Sequence, residues 1–130
     1  MYKRQRLEIK PLSVNQCRTI SRGKKIKTKQ YREYQEKVKS ELLYRKIEIE
    51  LPEKGELYLS ISIGVNTRFD IDNCAKPFID ILQNFFGFND NRITHLVIKK
   101  YSVKKGFEFI EFQLSPLFPG GKQDPFRRVS

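Results

Sequence analysis

The chain has 130 residues and a mass of 15.5 kDa, which is the usual size of one compact domain. Hydrophobic residues make up 38% and aromatic residues 12% of it, a composition that excludes simple disorder. No run approaches the roughly 18 apolar residues of a membrane span, and the N-terminal MYKRQRLEIK lacks the apolar stretch of a signal peptide. The two cysteines, Cys17 and Cys74, fit neither a disulfide framework nor a zinc motif. We therefore expect a cytoplasmic chain with reduced thiols and no membrane insertion.

The formal net charge of +11 lies entirely in the first third of the chain. Residues 1–46 hold 15 Lys and Arg against 4 Asp and Glu, whereas residues 47–130 hold 11 of each kind. Such an asymmetry favours a polyanionic partner, because neutralising phosphates releases their counterions. The alternative is a basic face that serves only solubility.

The first third is predicted to contain one strand and one helix. Leu7 and Ile9 alternate with charged residues, which predicts a strand over residues 3–10 that Pro11 ends. The segment PLSVNQCRTISRGKKIKTK then reads as a connection of about 16 residues, and loops of this length are usually functional. A helix is expected from Thr28, its N-cap, with an apolar stripe formed by Tyr31, Tyr34, Val38 and Leu42.

The middle of the chain is predicted to hold a strand and a second helix. Alternation in ELYLSISIGV indicates a strand with one buried face. The second helix is expected over about residues 73–86, with Gly87 ending it and Pro77 confined to its first turn or so. Its apolar side is formed by Phe78, Ile79, Leu82, Phe85 and Phe86.

The last third is predicted to form a hairpin and a tail. Strands over residues 94–103 and 107–114 are joined by a turn around Gly106. Residues 115–130 are rich in Pro and Gly and are expected to be a flexible tail after a domain of residues 1–114. The element order β-α-β-α-β-β predicts a single-domain α+β fold, with two main helices packed on a small mixed sheet.

Three aspartates suggest a metal centre. Asp70 and Asp72 flank Ile71 in the turn between strand and helix, and a following strand packed beside the first would bring Asp90 to them. Three clustered carboxylates repel one another by about 4 kcal/mol per pair at an effective dielectric of about 20. Mg²⁺, or Mn²⁺ in its place, removes this cost and prefers oxygen ligands. The alternative for Asp70 and Asp72 is capping of the helix start.

Lys76 lies four residues from both Asp72 and Asp80, on one face of the predicted helix. Its ammonium group could stabilise the charge that develops on a phosphate during hydrolysis. The alternative is a simple ion pair with Asp80 on a solvated surface. The single histidine, His95, has no second histidine or nucleophile beside it in the sequence, so we interpret it as structural rather than as part of a triad.

The run FDIDNCAKPFIDIL, followed by GFNDNRI, resembles the signature of RusA-type Holliday junction resolvases. These are endodeoxyribonucleases common in prophages and lambdoid phages. The upstream segments PLSVNQ and SRGKKIKTKQYREYQEKV, and LVIKKYSVKKGFEFIEFQL downstream, are similar to the same family. The resemblance covers about residues 7–114.

The resemblance implies roles for individual residues. It implies that Asp70, Asp72 and Asp90 bind the metal ion and that Lys76 is catalytic. Asn73 and Asp80 match supporting positions, Asn73 as a cap or near neighbour of the site and Asp80 as the group that orients Lys76. The chain departs from the family pattern at Asn89, where the first acid of an Asp-Asp pair is usual.

The resemblance also implies a homodimer, whose twofold axis suits a substrate that is cut twice. Backbone contacts to the DNA arms are expected from Asn15, Arg22, Lys24, Lys25, Lys27 and Lys29. Phe69 could wedge or stack at the crossover, or it could be an ordinary core residue at the end of a strand.

The sequence as a whole predicts a Mg²⁺-dependent endonuclease that resolves Holliday junctions by paired symmetric nicks in recombination and repair. By resemblance it acts in the cytoplasm of a bacterial or phage-infected cell. Two alternatives stay open. One is a broader nuclease for branched or flap DNA, and the other is a non-catalytic basic DNA-binding protein. RNA binding has no ribonucleoprotein-type aromatic motif to support it.

Overall fold

Two helices, six strands and one short 3-10 helix make up the described part of the chain in this computed structural model. It describes residues 2–13, 17–21, 23–66 and 71–117, with the backbone alone for residues 18–21, 24–25 and 71–73. Within these ranges, neither helix has the length and apolarity that a membrane crossing requires. The elements in chain order are β1 (Gln5–Leu7), β2 (Arg18–Ser21), β3 (Lys24–Lys27), α1 (Lys29–Tyr44), β4 (Leu57–Val65), α2 (Ile71–Phe86), the 3-10 helix (Asp90–Arg92), β5 (Ile93–Ser102) and β6 (Phe109–Pro116).

The main sheet has four strands in the order β1-β6-β4-β5. β4 is parallel to β5 and antiparallel to β6, and β1 is antiparallel to β6. α2 is the crossover between the parallel pair, as such connections require. The predicted α+β fold, with two helices on a small mixed sheet, is confirmed.

The predicted hairpin of the last two strands is wrong. β5 and β6 are consecutive in the chain, but β4 lies between them and pairs with both. β4 is the most apolar strand and is buried along almost its whole length, so a neighbour on each edge satisfies its backbone groups without water. The link from β5 to β6 crosses the end of β4, where the Val103 N–H donates to the Val65 carbonyl at 2.9 Å.

The predicted long connection contains a two-stranded ribbon formed by β2 and β3. Its antiparallel register runs from Arg18 opposite Lys27 to Ser21 opposite Lys24. Gly23 takes a positive φ of 77° in the turn, a conformation that favours glycine. The base of the ribbon is closed by a hydrogen bond from the Thr28 N–H to the Cys17 carbonyl at 3.1 Å. The basic segment is therefore a defined β element.

α1 begins as predicted. The Thr28 side chain caps it by accepting the Tyr31 N–H at 3.1 Å. The four residues buried along α1 are those of the predicted stripe, Tyr31, Tyr34, Val38 and Leu42. Cys17 and Cys74 are both buried and are not joined by a disulfide, and burial raises the pKa of Cys74 to about 11.

α2 begins at Ile71, slightly earlier than the predicted start near residue 73, so Pro77 lies in its second turn, somewhat deeper than the predicted first turn or so. Pro77 has no N–H to donate to the Asn73 carbonyl. The helix tolerates this missing hydrogen bond because burial of its apolar side stabilises it. Phe78 is fully buried, with its ring edge-on to Phe112 of β6 at a centroid distance of 5.5 Å. Phe85 and Phe86 are partly buried against the same core.

β4 is buried on both faces, although only one buried face was expected. Its odd-numbered residues face the helices, and its even-numbered residues include the buried Ser60 and Ser62. On this second face, the Phe109 ring lies so close over Gly64 that a Cβ atom at Gly64 would overlap it. Gly64 therefore allows Phe109 to cover the end of the strand.

The end of the described chain extends β6 past the predicted domain boundary at residue 114. The strand runs to Pro116, and the Leu117 N–H donates to the Glu56 carbonyl at 2.9 Å. Residues 118–130 lie outside the described residues, so the flexible tail stays a prediction.

We predict that Gly64→Ala lowers the free energy of unfolding by about 1–3 kcal/mol, because the new methyl group forces the Phe109 ring to move. Urea unfolding of the full chain measures this loss. In a Phe109→Leu background the same substitution should cost clearly less, since the ring that it displaces is gone. An equal cost in both backgrounds would show that the ring is not the cause.

Candidate active site

The outward face of α2 carries residues to which the sequence assigns chemistry. Lys76 and Asp80 lie one turn apart, and the Lys76 ammonium donates a hydrogen bond to Asp80 Oδ1 at 2.9 Å. Their side chains are 55% and 35% exposed. The spacing of four residues brings the two groups together, and their exposure leaves both within reach of a ligand.

A short turn after α2 carries Asp90. Gly87 ends the helix with a positive φ of 71°, and the 3-10 helix follows with Asn89 as its N-cap. The Asn89 side-chain oxygen accepts the Asn91 N–H at 3.0 Å. Asn89, the position that departs from the expected acidic pair, therefore shapes the backbone of this turn.

Gln83 attaches that turn to α2. Its side-chain oxygen accepts the Asp90 N–H at 2.6 Å, and Asp90 Oδ2 lies 3.6 Å from the Lys76 ammonium nitrogen. No role was predicted for Gln83 from the sequence. Its only signal was a spacing of seven residues from Lys76, which is two helical turns on the same face.

Arg92 fixes the other end of the turn. Its guanidinium donates to the Gly55 carbonyl at 3.0 Å and to the Pro52 carbonyl at 2.7 Å, both in the loop before β4. The position of Asp90 therefore depends on contacts to α2 on one side and to this loop on the other.

The Lys76 ammonium is shared between two carboxylates. The hydrogen bond to Asp80 is the main reason that the pKa of Lys76 is raised, while burial opposes the rise and the charges of Asp80 and Asp90 add to it. Lys76 therefore stays protonated at neutral pH and can act as a cation, not as a proton acceptor. Two carboxylates against one ammonium leave this cluster with an excess of negative charge.

The route by which Asp90 reaches α2 differs from the expected one. β5 is parallel to β4, with Ile93 opposite Leu57, so the start of β5 lies beside the start of β4 and away from its end. A neighbouring strand therefore does not return Asp90 to the residues that follow β4. Asp90 reaches Lys76 along the outward face of α2 instead.

The remaining predicted metal ligands are described only in part. Asp70 and Phe69 lie outside the described residues, and for Asp72 and Asn73 only the backbone is described, in the first turn of α2. The Cα atom of Asp72 precedes that of Lys76 by one turn, about 6 Å along the axis. The cluster of Asp70, Asp72 and Asp90 therefore stays a prediction.

The described side chains include only part of the predicted metal centre. Among them, no group of three or more His, Cys, Asp and Glu residues is placed to hold an ion, and Asp70 and Asp72 are not in that set. The two described acids beside Lys76 are Asp80 and Asp90. Both are partly exposed, and both offer only carboxylate oxygens as ligands. This donor chemistry fits Mg²⁺ or Mn²⁺ and does not fit a soft metal.

Four of the predicted DNA-contact residues lie on the ribbon or directly after it. Lys24, Lys25 and Lys27 belong to β3, and the Lys27 ammonium lies 5.7 Å from the centre of the Tyr31 ring. Lys29 begins α1 and is 3.9 Å from Glu33 in an exposed pair. Asn15 and Arg22 lie outside the described residues.

His95 lies exposed on β5, with its Nδ1 atom 3.3 Å from the Thr94 hydroxyl. No serine or cysteine nucleophile contacts its ring among the described hydrogen bonds, so the histidine offers no triad in this part of the chain.

Comparison with known protein families matches residues 8–110 to the family described as Endodeoxyribonuclease RusA. The matched range begins directly after β1, ends within β6, and includes all of α2 and Asp90. A search of curated proteins gave no match.

We predict that Gln83→Ala frees the Asp90 amide. The lost hydrogen bond is worth about 1 kcal/mol, so hydrogen exchange at the Asp90 N–H should become roughly fivefold faster. The matched control is Asn84→Ala, which alters the exposed neighbour on the same helix and should leave that exchange unchanged. Equal Asp90 exchange in the Gln83 variant and the parent would contradict the role of Gln83.

Proposed function

We propose, from the premise that the chain belongs to the RusA endodeoxyribonuclease family, that it resolves Holliday junctions by paired symmetric nicks in a divalent-metal-dependent reaction. Membership of the family makes the chain a hydrolase that acts on DNA. The observation that carries the proposal is the Lys76 ammonium, held 2.9 Å from Asp80 and 3.6 Å from Asp90 on the helix that begins beside Asp72.

Lys76 serves the reaction as a fixed positive charge. Hydrolysis of a phosphodiester forms a bond from a water oxygen to phosphorus and breaks the bond to the leaving sugar oxygen, which takes up a proton. Negative charge grows on the phosphate and the leaving oxygen, and a cation placed there lowers the barrier. Asp80 holds the ammonium in place, and the raised pKa keeps it charged.

Asp70, Asp72 and Asp90 are proposed to hold Mg²⁺, or Mn²⁺ in its place. When bound, such an ion activates water and stabilises the leaving oxygen. Gln83 orients Asp90 by accepting its backbone N–H, and Asn73 is proposed as a supporting residue of the site. The ion also offsets repulsion between this acidic cluster and the phosphate backbone of the substrate.

The basic ribbon is proposed to position the DNA arms. Lys24, Lys25 and Lys27 lie on a β element rather than a loose loop, so their spacing is defined by the register with β2. Contacts to phosphates orient the DNA without reading its sequence. A homodimer would place two such ribbons and two sites about a twofold axis, as paired nicks require.

Two alternative functions make different predictions for the experiments described next. A broader nuclease for branched or flap DNA would use the same lysine and acids. A non-catalytic DNA-binding protein would keep the ribbon and use the acids only to hold the structure of α2 and its turn.

We predict that Asp72→Asn lowers metal-dependent nicking of a synthetic four-way junction by roughly 100-fold or more, because a metal ligand is lost. Junction binding, measured by fluorescence anisotropy without metal, should persist. Glu53→Gln, an acid-to-amide change in the exposed loop before β4, is the matched control and should nick like the parent. Unchanged nicking by the Asp72 variant, or no nicking by the parent, would refute the catalytic proposal.

Lys76→Gln is predicted to reduce the single-turnover nicking rate by roughly 100-fold or more, because the charge that faces the phosphate is removed. Its junction affinity should change little. Lys54→Gln, the same substitution at an exposed lysine in the loop before β4, should keep the parental rate. A parental rate in the Lys76 variant would leave only the ion pair with Asp80 as its role.

Junction specificity is predicted to appear as faster nicking of a four-way junction than of a flap or a linear duplex of the same sequence. The measurement is the initial rate on each labelled substrate at the same Mg²⁺ concentration. Equal rates on all three would favour the broader nuclease.

A further inference from the structure

The sheet face turned away from the helices carries an open groove of about 660 Å³. Side chains of all four strands and of the residue before β1 line it. Those that matter for its chemistry are Arg4, Arg6, Ser60, Ser62, Lys99 and Tyr101. None of them has a role in the proposed reaction.

The floor of the groove consists of two buried serines under one arginine. Ser60 and Ser62 are 6% and 4% exposed on the central strand β4. The Arg4 guanidinium donates to the Ser60 hydroxyl at 3.1 Å, to the Ser62 hydroxyl, and through Nε to Glu111 at 2.9 Å. These bonds fix the plane of the guanidinium, and 36% of the Arg4 side chain remains exposed.

The groove has more hydrogen-bond donors than acceptors. A guanidinium has five N–H donors, and Arg4 uses three of them on the partners just named. Both serine hydroxyls act as acceptors towards Arg4, so each still has its own proton to donate. The Lys99 ammonium, opposite Ser62 in the register of β4 and β5, adds further donors. An anion rich in oxygen acceptors satisfies this set.

The charges of the residues that line the groove also favour an anionic ligand. Arg4, Arg6 and Lys99 face one carboxylate, Glu111. Arg4 and Arg6 both bond Glu111, at 2.9 and 3.3 Å, and Arg6 also pairs with Glu8 at 3.0 Å, so Lys99 carries the positive charge that these carboxylates leave in excess.

An aromatic wall borders the same donors. The Arg6 guanidinium lies 3.9 Å from the centre of the Phe109 ring, and the Tyr101 ring lies 6.3 Å from Phe109. Tyr101 is 47% exposed. Flat apolar rings beside phosphate donors match the sugar and base of a nucleotide.

We infer that this groove binds the sugar-phosphate backbone of DNA, as a second contact surface on the face of the sheet opposite α2. The inference rests on the proposed function for the identity of the ligand, since DNA is the polyanion on which the enzyme acts. Arg4, Ser60, Ser62 and Lys99 would hold a backbone phosphate, and Tyr101 the adjoining sugar or base. A branched substrate presents several arms, so a second surface can hold an arm that is not being cut.

Lys99→Gln tests the groove without threatening the fold, because Lys99 is exposed. The full chain is titrated with a labelled four-way junction in EDTA over a series of potassium chloride concentrations. Each lost phosphate contact lowers the slope of log K against log salt by about 0.9. We expect this change for Lys99→Gln, with affinity roughly fivefold weaker. Lys54→Gln should retain both parental values.

Arg4→Lys gives a second measurement, because it keeps the charge but cannot bridge Ser60, Ser62 and Glu111 together. We expect weaker junction binding with little change in the salt slope, and urea unfolding identifies any loss of stability. Parental affinity and slope in Lys99→Gln would overturn the inference. So would a changed sedimentation mass with parental DNA affinity, since the groove would then be a contact between copies of the chain.

Nicking by the parent separates this inference from the proposed function. If the parent nicks junctions in Mg²⁺ and Lys99→Gln binds as the parent does, only the groove inference fails. If the parent does not nick, the proposed function fails, while the salt slopes still decide whether the groove binds DNA.

Discussion

The burial of one apolar stripe of α2 against the centre of the sheet determines which of its side chains reach the surface. Phe78 is fully buried and meets Phe112 of β6 edge-on. Burying such a side chain is worth about 1.5–3 kcal/mol, whereas an exposed ion pair such as Lys76 with Asp80 contributes about 0–1 kcal/mol. The packing therefore sets the rotation of the helix about its axis. The polar cluster lies on the outward face because the opposite face is buried.

That orientation lets local interactions assemble the site. Lys76, Asp80 and Gln83 share the outward face, and Asp90 is added by a turn that Gln83 holds through one backbone hydrogen bond. The cluster is rich in negative charge within a chain of formal charge +11. A polyanionic substrate is thus attracted by the chain as a whole and repelled by the place where it would be cut, unless a cation lies between them.

Helices were predictable from the sequence because their signals are local. The stripe of α1, the Thr28 cap and the Gly87 stop all depend on residues within one or two turns, and each is observed. The partners of the strands could not be predicted, because strand pairing depends on residues that are distant in the sequence. The hairpin expected for β5 and β6 was wrong because the apolar β4 takes both as neighbours. The β2 and β3 ribbon was missed because its charged residues hide the strand alternation, and Gln83 was missed because its partner is a backbone amide.

The strand order β1-β6-β4-β5 also has a consequence for how the protein is made. β4 pairs only with β5 and β6, and β1 pairs only with β6, so the four-stranded sheet cannot begin to form until more than two thirds of the chain has left the ribosome. The basic first third emerges before β4, β5 and β6, the strands that later cover its apolar side chains. Strand pairing so distant in sequence is slow. The sheet beneath α2 is therefore complete only after β6 has been synthesised, and the nuclease cannot assemble on the nascent chain before that point.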